Sequence, residues 1–208
     1  MQSVLPVLAI LGGILMVFSV TMLVPLAFAF IGGDAALYAY DGAILLTLGC
    51  GLALFFSCRR FKRELQPRDG FLLVSLVWSV LPAFGALPLL LHIPGLSFTD
   101  AYFEAVSGLT TTGSTVLTGL EKLPLSINVW RCFMVLIGGM GILVLAVAIL
   151  PLLGVGGSQI FKAETPGPMK DAKFTPRISE TARGLWGVYF GFSAACLLAY
   201  RWAGMDWA

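Results

Sequence analysis

No charged residue appears before Asp34, and charge divides the rest of the chain into further neutral runs at 42–58, 70–99, 105–120, 132–161 and 184–200. A membrane-crossing helix needs about 20 mostly apolar residues, with a range of about 17–25. The runs at 1–33, 42–58, 70–99, 132–161 and 184–200 can each supply one. The pattern predicts spans near 5–30, 42–58, 71–91, 130–152 and 184–203. Only 12% of residues are charged, against roughly 25% in soluble domains. So few charges could not cover a soluble fold of this size, and 58% hydrophobic residues exclude disorder. The N-terminal run has no Lys or Arg ahead of it and is too long for a signal peptide, so it is read as a span. Pro25 predicts a kink or break inside it.

The neutral run at 105–120 is different in kind. Ser107, Thr110, Thr111, Thr112, Ser114, Thr115 and Thr118 make it polar, and Gly108, Gly113 and Gly119 interrupt it. It lacks the apolar length to cross and is expected to enter the membrane and return. The basic residues point the same way. Arg59, Arg60, Lys62, Arg63 and Arg68 lie between spans two and three, and Lys162, Lys170, Lys173, Arg177 and Arg183 between spans four and five. Those two loops hold ten of the 13 Lys and Arg residues. By the positive-inside rule both are cytoplasmic, with the N-terminus inside and 92–129 outside. One more crossing within 92–129 would put the two basic loops on opposite sides. The four cysteines, Cys50, Cys58, Cys132 and Cys196, have no metal-ligand spacing and read as small apolar fillers that need no disulfide.

Ser97 followed by Asp100 is a helix-start signal, and Phe98, Tyr102, Ala105, Val106 and Leu109 recur at helical spacing. The expected helix, Thr99 to Leu109, is roughly 16 Å long, about half of the 30 Å hydrocarbon core. Its C-terminal end, with its partial negative charge, would face mid-membrane, where a dehydrating cation is stabilised. The threonines that follow read as extended backbone, which is tolerated at that depth only when buried in protein or lining water. Gly113 permits positive φ, so neighbouring carbonyls can turn to one side and replace a cation's hydration shell. An ordinary Thr-rich helix terminus with a glycine stop is the plainer alternative.

The run Ser107-Gly108-Leu109-Thr110-Thr111-Thr112-Gly113-Ser114-Thr115-Val116 resembles the first filter of the Trk/Ktr/HKT potassium-transporter superfamily, and most of all its bacterial Trk-type membrane subunits. Trp130-Arg131 with Gly138-Gly139-Met140-Gly141-Ile142 resembles the family's second pore-lining helix. Phe161 to Pro168 resembles the linker that follows, and Pro176-Arg177-Ile178 with Thr181-Ala182-Arg183 resembles the start of the next repeat. The resemblance implies an all-α membrane protein built from span–pore helix–span repeats with a re-entrant half-helix and filter loop. Residues 1–58 would be two leading helices, 59–69 a cytoplasmic basic loop, and 70–153 the first pore repeat. Residues 154–183 would be a cytoplasmic linker and 184–208 the first helix of a second, truncated repeat. The chain is therefore expected to be an N-terminal part of a longer protein.

It further implies potassium uptake across the bacterial inner membrane, with no enzyme activity and no cofactor, K+ being the transported ion. Backbone carbonyls of Thr110, Thr111, Thr112 and Gly113 would supply one quarter of the ion site, supported at its outer mouth by Ser114, Thr115, Glu104 and Arg131. Implied partners are the remaining pore repeats, a second copy in a homodimer, and a cytoplasmic nucleotide-binding regulatory ring. No phosphate loop or GxGxxG run occurs in the chain itself.

Several residues keep two readings. Asp100 and Glu104 either attract cations at the mouth or are solvated helix-start acids. Arg131 either bonds the outer end of the pore segment or snorkels to the headgroups. Gly138, Gly139 and Gly141 serve close helix packing or a hinge. His92 reads as interfacial rather than as a proton relay. An intramembrane enzyme would need a nucleophile–base pair, paired carboxylates or metal ligands, which the sequence does not offer. A non-conducting scaffold would explain the spans and not the polar segment.

Overall fold

The computed structural model describes residues 4–61, 66–149 and 174–205, and all regular structure among them is helical. The expected first span is two helices, α1 (Leu5–Thr21) and α2 (Leu23–Gly32), parted at Met22. Pro25 has no N–H for the Thr21 carbonyl and its ring crowds it, so the ladder lapses one turn before the proline. Gly33 closes α2 at φ 62. The second span, α3 (Leu37–Cys58), begins earlier than the expected 42 and takes Asp41 into the helix. The third is α4 (Pro67–Gly85) followed by α5 (Leu87–His92), parted at Ala86 by Pro88. Asp69 fixes the start of α4, its Oδ2 accepting the Gln66 N–H at 2.8 Å.

A half-length helix, α6 (Phe98–Leu109), comes next, then a stretch without regular structure and a 3-10 turn at Leu120–Lys122. The helix α7 (Leu125–Ile149) starts before the expected 130, and the last residues of that expected span, 150–152, lie outside the described residues. Among the described residues, four segments are long and apolar enough to cross a membrane: Leu5–Gly32, Leu37–Cys58, Arg68–His92 and Leu125–Leu143. The fifth expected span lies within α8 (Phe174–Trp202), which is not among the four; its uncharged part runs only from Gly184 to Tyr200, between Arg183 and Arg201. Of the expected linker at 154–183, the described residues begin at Phe174. From Phe174 it is already helix, because Pro176 falls in the first turn, where its missing N–H costs no hydrogen bond. Residues 154–173, and Lys62 and Arg63 of the first basic loop, lie outside the described residues.

Residues 1–138 form one compact unit and residues 139–208 a second. In the first, α1 packs chiefly on α3. Their backbones meet where Gly12 faces Gly51: a Cβ on Gly12 would lie 2.7 Å from the Gly51 carbonyl oxygen. Small residues at such crossings let helices associate by van der Waals contact, since lipid supplies no hydrophobic drive between them. The core gathers Phe18, Leu89, Ile127, Trp130 and Met134. Trp130 is fully buried, stacks at a tilt on Phe18 with centroids 5.7 Å apart, and donates from Nε1 to the Gly85 carbonyl at 2.9 Å. That bond ties the start of α7 to the end of α4. In the second unit the Tyr189 hydroxyl sits 2.5 Å from where a Gly139 Cβ would be.

Candidate functional site

The site is built on α6. Ser97 caps it, its Oγ accepting the Asp100 N–H at 3.1 Å and donating to the Asp100 carboxylate at 2.7 Å. Asp100 is thus the helix-start acid. One face of α6 is made of small residues, Ala101, Ala105, Ser107 and Gly108, and is buried. Packing is close there: a Cβ on Gly108 would lie 3.1 Å from the Met134 Cβ. Tyr102 secures the outer face, donating to the Ser79 carbonyl at 3.0 Å.

The helix ends without the glycine that such an ending favours. Thr111 takes the left-handed position at φ 58, the one non-glycine residue at positive φ among the described residues. Its N–H bonds the Gly108 carbonyl at 2.9 Å, and the Thr112 N–H bonds the Ser107 carbonyl at 2.9 Å. This is a Schellman ending with a β-branched residue where glycine is usual. The left-handed conformation costs a non-glycine residue about 1–2 kcal/mol. Gly113 is also left-handed, at φ 76, and a Cβ there would meet nothing within 4 Å.

Thr110, Thr111, Thr112 and Gly113 all donate their N–H groups back into the last turn of α6. Their four carbonyl oxygens accept no hydrogen bond among the described residues. Residues 111–116 are exposed. The next carbonyl, of Ser114, is taken by the Ser107 hydroxyl at 2.6 Å. The Thr110 hydroxyl donates to the Val106 carbonyl at 2.7 Å and lies 2.8 Å from the Thr112 hydroxyl.

Behind this segment lies an ion pair. Glu104 is 3% exposed, so it is neither an open cation attractor nor a solvated acid. Its Oε1 accepts from the Thr115 hydroxyl and the Val116 N–H, both at 2.6 Å. Its Oε2 accepts from Arg131 Nε at 3.2 Å and lies 3.1 Å from Arg131 Nη2. Arg131 also donates to Thr115 Oγ1 at 3.1 Å. The pair joins α6, the segment that follows it and α7 at one point. A small cavity beside it, about 180 Å³, is lined by Glu104, Ser107, Gly113, Ser114, Arg131 and Cys132.

On α7, Gly138 abuts the end of α6 directly. A Cβ there would overlap the Leu109 carbonyl oxygen and lie 2.6 Å from its carbon. Gly139 faces Tyr189, and Gly141 is exposed. His92 closes α5, away from these contacts. Three features carry no sequence signal assigned to them above: the left-handed Thr111, the Ser107–Ser114 bond, and a tie between distant loops. In that tie Asp34 Oδ2 accepts the Ser126 N–H at 3.2 Å while the Tyr40 hydroxyl donates to the Ser126 carbonyl at 2.9 Å. The lone acid after α2 and the start of α7 were the available pointers. The cysteines are free; Cys58 is buried, and Cys50, Cys132 and Cys196 are exposed in this chain.

Apolar helices of this length, with a half-length helix and a polar non-helical segment between two of them in place of the expected extended backbone, define a multi-pass helical membrane protein. Residues 40–205 match the TrkH family of cation transport proteins, and the chain belongs to that family. It is 50% identical to the Trk system potassium uptake protein TrkH of Halomonas elongata, over 99% of this chain and 43% of that protein. It is 50% identical to TrkH of Escherichia coli over 95% of this chain and 41% of that one. The crystal structure of the potassium transporter TrkH from Vibrio parahaemolyticus superposes with a TM-score of 0.79 at 44% identity, covering 99% of this chain and 40% of that one. The chain therefore spans about two fifths of the length of these relatives.

Proposed function

We propose that this chain carries two leading helices and the first pore repeat of a Trk-type potassium-uptake subunit. The repeat consists of α4 and α5, the half-helix α6, the filter segment from Thr110 to Gly113, and α7, with α8 opening a second repeat. The observation that carries this reading is the row of four consecutive carbonyls, Thr110 to Gly113, that accept no hydrogen bond among the described residues, at the C-terminal end of a half-length helix. Such carbonyls substitute for the hydration shell of an alkali cation. The relatives named above are potassium uptake proteins, which supports K+ as the ion.

One such segment provides a quarter of a ring, so conduction requires three further quarters from the remaining repeats. The basic loops support a cytoplasmic N-terminus by the positive-inside rule, and the family resemblance supports the bacterial inner membrane. A homodimer and a cytoplasmic nucleotide-binding regulatory ring are the partners that the family resemblance implies. A non-conducting scaffold leaves the strained Thr111 and the four unbonded carbonyls without a use.

The test is Gly113→Ser in a pore-complete protein containing this sequence, with uptake of potassium and sodium measured in liposomes. A Cβ at Gly113 meets nothing within 4 Å in this chain, so the change acts through the backbone at φ 76. Potassium-over-sodium discrimination falls if the reading holds. An unchanged ratio refutes it.

A further inference from the structure

The first unit holds a second cavity, remote from the filter segment, at the opposite end of the α1–α3 pair from Asp34. It is a groove of about 800 Å³ lined by Pro6, Ile10, Gly13 and Val17 on α1, by Phe55 on α3, and by Arg59 and Phe61 just beyond the end of α3. Its volume lies within the about 300–1,000 Å³ of small-molecule sites. The floor is open because Gly13 has no side chain: a Cβ there would meet nothing within 4 Å. From Pro6 to Val17 the groove follows α1 for about 16 Å, close to half of the 30 Å hydrocarbon core and so to one leaflet.

We propose that this groove holds one acyl chain of an anionic phospholipid, with the lipid phosphate on Arg59. The lining is apolar along the helix and cationic at one end only, which matches an amphiphile with a single anionic end. The guanidinium is positioned: its central carbon sits 4.5 Å from the centroid of the Phe56 ring. Arg59 and Arg60 follow directly on the end of α3 at Cys58, and neither pairs with a carboxylate among the described residues. A guanidinium fork suits phosphate oxygens, and basic sites at helix ends are where anionic headgroups are met. The site is independent of the ion-filter reading.

The test is native mass spectrometry of the purified chain in detergent, titrated with phosphatidylglycerol or with phosphatidylcholine of the same acyl chains. Wild-type chain is expected to retain one phosphatidylglycerol at least fivefold more tightly than phosphatidylcholine. The double variant Arg59→Ala, Arg60→Ala should lose that preference, and Gly13→Leu should weaken both lipids by filling the groove. Val17→Trp fills it from an exposed position and replaces Gly13→Leu if circular dichroism shows that variant unfolded. Equal retention of the two lipids overturns the proposal, leaving annular lipid only. Retention of phosphatidylglycerol by the groove-filled variants at wild-type strength overturns it too, leaving headgroup adsorption on the basic loop. A lipid-free dimer that the groove-filling variants break overturns it in favour of a second copy seated there.

Discussion

Glu104→Gln is the most informative single change, because one carboxylate holds three pieces of chain. Oε1 takes the Thr115 hydroxyl and the Val116 N–H at 2.6 Å each, and Oε2 takes Arg131 at 3.1–3.2 Å. The amide keeps the shape and one acceptor oxygen, but it turns an NH2 group toward a guanidinium. Removing one partner of a buried ion pair costs about 3–5 kcal/mol. The Arg131 side chain is 19% exposed and can turn toward water, so the lower end applies, about 3 kcal/mol. The assay is unfolding of the chain from mixed micelles by titration with a denaturing detergent, run as a double-mutant cycle with Arg131→Gln. The expected coupling is about 1.5–3 kcal/mol, as for hydrogen bonds to charged groups. Amide exchange at Val116 and Leu117 should quicken in the single variant while that of α1 does not. A coupling of about 0.6 kcal/mol or less, the average for interhelical hydrogen bonds in membranes, would refute the reasoning.

Two other substitutions bear on the same region. Thr111→Gly is expected to raise stability by about 1 kcal/mol in the same unfolding titration, since relief of the left-handed strain exceeds the entropy glycine adds to the unfolded chain; a loss of stability would show that the threonine side chain holds the segment. Gly138→Ala forces the Leu109 carbonyl carbon to retreat from 2.6 Å to about 3.5 Å, costing about 1–3 kcal/mol. In a pore-complete protein it should also lower potassium-over-sodium discrimination, and a variant with wild-type stability would contradict the close approach.

Much of this was readable from local chemistry. The pair Ser97 and Asp100 placed the start of α6 to within one residue, Phe98 instead of Thr99, and Leu109 ended it as expected. Charge-free runs located the four apolar segments because lipid tolerates so few charges. What escaped the sequence depends on tertiary neighbours. Glu104 sits one turn after Asp100 and looks like a second solvated acid, yet its partner is 27 residues away on another helix. Nothing local pairs the two. Gly113 advertised the positive φ, whereas Thr111 hides one behind a side chain that disfavours it. The break at Met22 precedes the proline that causes it, since the deficit falls on the carbonyl one turn back.

The ending of α6 has a consequence for the sign of the ion. From Thr110 to Gly113 every N–H is turned inward and committed to the carbonyls of Val106, Ser107 and Gly108. The backbone of the segment therefore presents carbonyl oxygens alone to whatever approaches it. Chloride or hydroxide would find no free backbone N–H there, and would meet in addition the negative end of the helix dipole. On the proposed filter reading, a bias against anions thus lies in the backbone of the helix terminus itself, before cavity size or the other quarters of a ring distinguish one alkali cation from another.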